Sequence, residues 1–105
     1  MGKFLFVYHG GRMADTPEAQ AKAMEAWGAW FGQLGSAVVD GGNPTGASVT
    51  VNAVGQTQGG GANPSTGYSL IEASNLDDAV AKAKGCPIVA DGGSVEVCET
   101  INVGP

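Results

Sequence analysis

The chain has 105 residues, a length that a single domain fills, with five Lys or Arg against ten Asp or Glu and a formal net charge of −5. That balance argues against nucleic acid and against an anionic membrane surface as partners, because both are held by an excess of Lys and Arg. No run is long and apolar enough to span a bilayer, and a lone histidine beside two cysteines is too few donors for a His/Cys metal site.

The first element is the apolar run Lys3 to His9, which contains Phe4-Leu5-Phe6-Val7-Tyr8 and closes on Gly10-Gly11. It is too short for a helix and reads as a strand buried on both faces. It lacks the longer apolar region and small-residue cleavage site of a signal peptide, so the protein is expected to be cytoplasmic. In that setting Cys86 and Cys98 are expected as buried thiols rather than a disulfide.

Asp15-Thr16-Pro17-Glu18 opens a helix. Asp15 or Thr16 can cap it, Pro17 suits the first turn and Glu18 complements the helix dipole. The helix is expected to run to about Leu34 and to close on Gly35, with Ala23, Met24, Trp27, Trp30, Phe31 and Leu34 on one stripe. Ala37 to Gly41 reads as a short strand. Ser48 to Val54 reads as a strand with one drier face, through Val49, Val51 and Ala53. Gly55 to Thr66 is glycine-rich and polar and reads as a loop. Gly67 to Ala73 is a further apolar strand. Ser74 to Asp78 starts a second helix with Leu76, Ala79, Val80 and Ala83 on its apolar side, ended by Gly85 and Pro87. Ser94 to Val103 is the last strand.

Two strand-helix-strand units flanking an extra strand describe an α+β fold, a ferredoxin-like sandwich with both helices on one sheet face. A chain this short has a thin core. The two-sided apolar character of the first strand therefore implies that the helix-free face meets a second copy, giving a homodimer in the form of a dimeric α/β barrel. An apolar face left in water costs about 25 cal/mol per Å².

Several segments carry a resemblance. They are Lys3 to Tyr8; Trp27-Gly28-Ala29-Trp30 followed by Leu34-Gly35 and Val38-Val39-Asp40-Gly41-Gly42; Gly67 to Ala73 with Leu76-Asp77-Asp78-Ala79; and Cys86-Pro87 with Val95-Glu96-Val97. In order and spacing they resemble the YCII-related family, its DGPF-type branch. The resemblance covers most of the chain and implies a ferredoxin-like fold and an α/β-barrel homodimer. The chain departs from the branch at its Asp-Gly-Pro-Phe segment, whose place is taken by Gln58 to Thr66. It departs again on the first helix, which lacks the histidine of the family's His-Asp pair.

The chemistry then rests on few residues. His9, at the end of the first strand, has the right pKa range for a general base, with Asp40 as the group to orient it if the two strand ends meet. The alternative is a solvated histidine at a loop edge. Arg12 follows two glycines that admit a ligand to the backbone and can bind a carboxylate or simply lie on the surface. Tyr8 and Tyr68 can present hydroxyls to a ligand or pack as core aromatics. Trp27 and Trp30 read as core, and Asp77 and Asp78 as helix-start charges. Gly59-Gly60-Gly61 lacks the Lys-Ser/Thr ending of a phosphate loop, and no cofactor is expected. The expected function is binding of a small molecule in a sheet-lined cavity between subunits, gated by Gly55 to Thr66. It comes either with proton-transfer chemistry or as a non-catalytic binding module.

Overall fold

The computed structural model describes residues 2–11 and 14–104. The fold is mixed α+β. Strand β1 (Gly2–His9) leads to helix α1 (Pro17–Leu34), a single 3-10 turn and β2 (Val38–Asp40). A separate hairpin follows, made of β3 (Val49–Asn52) and β4 (Gly55–Gln58). Then come β5 (Ser65–Ala73), α2 (Leu76–Ala83), the short helix α3 (Pro87–Ala90) and β6 (Ser94–Glu99). Four strands form one open antiparallel sheet in the order β2-β5-β1-β6. The helical connections therefore each skip a strand: α1 carries the chain from β1 over to β2, and α2 and α3 carry it from β5 over to β6.

Burial alternates along β1 and β5, as side chains on a pleated sheet must. Phe4, Phe6 and Tyr8 are buried together with Ser69, Ile71 and Ala73. Against them pack Trp30 of α1, Ala79 and Ala83 of α2, and Cys86 and Ile88 at α3. Both long helices thus cover one face. The other face carries Leu5, Val7, Tyr68, Leu70 and Cys98, all half-buried, with Leu5 paired to Leu70 on one side and to Cys98 on the other. Within the protomer, then, β1 is fully buried on one face only.

Helix α1 has the bounds its sequence predicts. The Thr16 side chain accepts a hydrogen bond from the Ala19 amide at 3.1 Å, Pro17 occupies the first turn and Gly35 closes the helix at a φ of 57°. Of the expected stripe, Trp30 is buried and Trp27, Phe31 and Leu34 are half-buried, but Met24 is 76% exposed. Trp30 stacks on Phe6 with ring centroids 6.3 Å apart, and its indole N–H donates to the Lys82 carbonyl at 3.1 Å, which ties α1 to α2.

The expected loop from Gly55 to Thr66 contains a strand. β4 pairs with β3 across the two-residue turn Ala53-Val54, and the Val54 amide donates to Asn52 Oδ1. Gln56-Thr57-Gln58 has no apolar alternation to betray a strand, because neither face of this hairpin is buried. The last strand is shorter than expected: it ends at Glu99, and Ile101 and Val103 lie exposed beyond it. Among the described residues no helix is long and apolar enough to cross a membrane.

Candidate functional site

A cleft of about 570 Å³ opens where β1 ends, between α1 and the loops that flank β5. Its apolar wall is formed by one side of α1: Ala23, Met24, Trp27 and Phe31. Tyr8 and Ile88 lie behind these. The facing wall is largely backbone, from Gly41 to Thr45 and from Thr66 to Tyr68. The aromatic rings brace one another, with Tyr8 edge-on to Trp27 at 5.0 Å and Trp27 edge-on to Trp30 at 5.7 Å. Such contacts hold the rings in place without a ligand.

The backbone wall depends on glycine. Gly42 has a φ of 74°, and a Cβ there would sit 1.7 Å from the Tyr68 carbonyl oxygen. Only a residue without a side chain lets the β2 exit pass this close to β5. Behind the lining residue Gly11, Gly93 is pressed against His9 and Gly11, where a Cβ would lie 2.6 Å from the His9 carbonyl oxygen.

Each residue singled out from the sequence has a definite place. Tyr8 is 5% exposed, on the helix-bearing face. Its hydroxyl donates to Ser69 Oγ at 2.7 Å, and Ser69 Oγ donates in turn to the Gly41 carbonyl at 2.7 Å. Burial pushes the Tyr8 phenol up to about 12, only partly offset by the Ser69 hydrogen bond. Tyr68 lies on the neighbouring strand but alternates to the opposite face, where its hydroxyl accepts from Asn43 Nδ2 at 3.5 Å. Tyr8 thus supplies a ring to the cleft, with its hydroxyl engaged in the Ser69 relay.

His9 is on the open sheet face and is not part of the cleft lining. Its Nε2 lies 3.0 Å from Glu96 Oε1, and its Nδ1 lies 3.0 Å from the Asn63 carbonyl and 3.2 Å from that of Pro64. Acceptors at both ring nitrogens favour the doubly protonated imidazolium. The Glu96 hydrogen bond accordingly raises the His9 pKa above 6.5, helped by the two carbonyls and opposed by burial. Asp40 does not join this group. β5 stands between β1 and β2, and Asp40 Oδ1 instead accepts from the Gly42 amide at 2.8 Å. Asp40 therefore shapes the cleft wall. Arg12 lies outside the described residues.

Both cysteines are free, Cys86 buried in the core and Cys98 half-buried on the open face. Burial raises the Cys86 thiol to about 11. Among the described residues every buried side-chain nitrogen and oxygen has a hydrogen-bond partner.

The sequence reading did not anticipate Glu96 or Ser69. Glu96 was legible only as an outward residue between Val95 and Val97. Its pairing with His9 depends on β6 lying beside β1, which no local pattern encodes.

Compared with protein-family models, with curated proteins and with solved structures, the chain has no match.

Proposed function

We propose that this protein is a non-catalytic, dimeric binding module that holds a small, largely apolar organic molecule in the cleft beside α1. The observation that carries the reading is the cleft itself. About 570 Å³ lined by Met24, Trp27, Phe31 and the ring of Tyr8, with backbone groups facing them, has the size and chemistry of small-molecule sites. Flat, ring-bearing compounds with one or two hydrogen-bonding groups suit these walls, the rings meeting Trp27 and Phe31 and the polar groups meeting the backbone of the Gly41–Thr45 loop.

A binding role is favoured over proton transfer by the state of His9. A general base needs a free lone pair aimed at the substrate. The His9 ring has an acceptor at each nitrogen and sits outside the cleft lining.

The strand order β2-β5-β1-β6 with two crossover helices on one face supports a ferredoxin-like sandwich, and with it the likeness to the YCII-related family. The half-exposed row of Leu5, Val7, Leu70 and Cys98 on the helix-free face supports pairing with a second copy. The two free thiols accord with a cytoplasmic setting.

Titration of the isotope-labelled protein with indole, 4-hydroxybenzoate and benzamidine, followed by amide NMR, tests the binding site. Shifts are expected at Trp27, Phe31, Gly42 and Tyr68, and their loss in Ala23→Trp, which fills the cleft. Millimolar fragments that leave these amides unmoved would refute the reading. Light scattering tests the dimer, with twice the protomer mass expected.

A further inference from the structure

We propose that the β3–β4 hairpin is an arm that grips a second copy of this chain, an inference that rests on the dimer reading above. All eight residues of its two strands are exposed. Val49, Val51 and Val54 are 53%, 75% and 96% exposed, and the two strands pair only with each other. A two-stranded hairpin in water is marginally stable on its own, and its valines gain little until something covers them. The register puts Val49 opposite Gln58 and Val51 opposite Gln56, so one face of the arm is a valine stripe edged by amides, while Thr50 and Thr57 share the other face.

The arm is anchored rather than loose. At its root the Thr45 amide donates to the Thr66 carbonyl at 3.0 Å, Thr45 Oγ1 donates to the Ser65 carbonyl at 3.1 Å, and Pro44 bridges to Gly67. His9 holds the returning strand through the Asn63 and Pro64 carbonyls. A projection whose root is already ordered loses less entropy on docking than a free loop does.

Charge and shape select the occupant. The chain carries −5, yet no Asp, Glu, Lys or Arg occurs between Asp40 and Glu72. Two copies approaching through their acidic surfaces repel, whereas this stretch can be dried against a second copy without burying a charge. The surface it needs is present on that copy: the helix-free sheet face has Leu5, Val7 and Leu70 in adjacent cross-strand positions and half-exposed. In a two-fold pair each arm covers the helix-free face of the other copy's sheet, so both unpartnered apolar surfaces are closed at once and the assembly stops at two.

Sedimentation equilibrium on the full chain, on Val49→Glu/Val51→Glu and on Thr50→Glu/Thr57→Glu decides the matter, with urea unfolding as a check that each variant folds. The valine pair is expected to weaken dimerisation by about tenfold or more, and the threonine pair, with the same added charge on the opposite arm face, by less than about threefold. A wild-type chain that is monomeric at high micromolar concentration overturns the dimer reading and this one together. A wild-type dimer that the valine pair leaves intact overturns the arm alone, as does equal weakening by both pairs. Because the arm lies outside the core, its loss should leave the urea midpoint nearly unchanged when wild type and variant are both compared as monomers, below the dimer dissociation constant.

Discussion

Ser69 offers the sharpest test of how the cleft wall is held. It is fully buried, accepts a hydrogen bond from the Tyr8 hydroxyl at 2.7 Å and donates one to the Gly41 carbonyl at 2.7 Å. Ser69→Ala leaves the Tyr8 hydroxyl without a partner in the core, and an orphaned buried donor costs about 1–3 kcal/mol. The Gly41 carbonyl, on an exposed residue, can turn to water and adds little. Tyr8→Phe removes the donor instead and leaves the Ser69–Gly41 bond intact, so it should cost only about 1 kcal/mol. With about 2 kcal/mol lost, Ser69→Ala should lower the melting temperature by about 8 °C in a domain of this size. In the double variant the orphan is gone, so Tyr8→Phe made on Ser69→Ala should be neutral or slightly stabilising. Urea unfolding followed by the fluorescence of Trp27 and Trp30 measures all four corners of this cycle. The reasoning fails if Ser69→Ala costs no more than Tyr8→Phe, or if the two costs simply add.

Three further outcomes follow from the geometry. The His9 pKa is raised in the fold, so the stabilisation its contacts provide is complete below the free-imidazole value of 6.5 and is lost as pH rises through the folded value. Urea midpoints measured from about pH 5 to pH 9 should fall over that window in the wild type and fall less in His9→Ala, and a His9 ring whose NMR titration is not raised above 6.5 would contradict the Glu96 contact. Both thiols are held protonated at neutral pH, Cys86 by burial and Cys98 by partial burial and then the Glu96 charge, so a disulfide reagent should modify Cys98 slowly and Cys86 only on unfolding; fast modification of Cys86 in the native protein would refute its placement. Gly42→Ala should cost at least about 2 kcal/mol, from positive-φ strain plus the clash with the Tyr68 carbonyl, and should abolish fragment binding in the cleft. A thermal melt within 2 °C of wild type would count against the close approach.

The parts of the fold written in local sequence were legible. Thr16-Pro17 and Gly35 mark the ends of α1, and the short apolar runs Phe4 to Tyr8 and Tyr68 to Ala73 mark two central strands. What failed were features that only the assembled fold supplies. The β3–β4 hairpin has no buried face, so Gly55 to Gln58 carried no period to read. Pro87 reads as the end of one helix, whereas Pro87–Ala90 forms a further helical turn that buries Ile88. Ile101 and Val103 continue the apolar spacing of β6, but the sheet has ended there and neither is covered. For the site, His9 is expected as a general base beside Asp40, whereas its side-chain partner, Glu96, comes from a strand 87 positions away. The sheet order, with β5 inserted between β1 and β2, denies it Asp40.

The cleft has one wall of side chains and one of peptide groups, and this asymmetry confines where its chemistry can vary. The peptide wall offers the same amides and carbonyls whatever residues surround it, and at Gly42 any side chain would meet the Tyr68 carbonyl. If the cleft binds as proposed, preference among ligands would be set on two turns of a single helix, at Ala23, Met24, Trp27 and Phe31. Of these four, Ala23 and Met24 stand clear of the aromatic contacts that brace the interior, whereas Trp27 and Phe31 belong to them, so the first two are the positions that can change without disturbing the core.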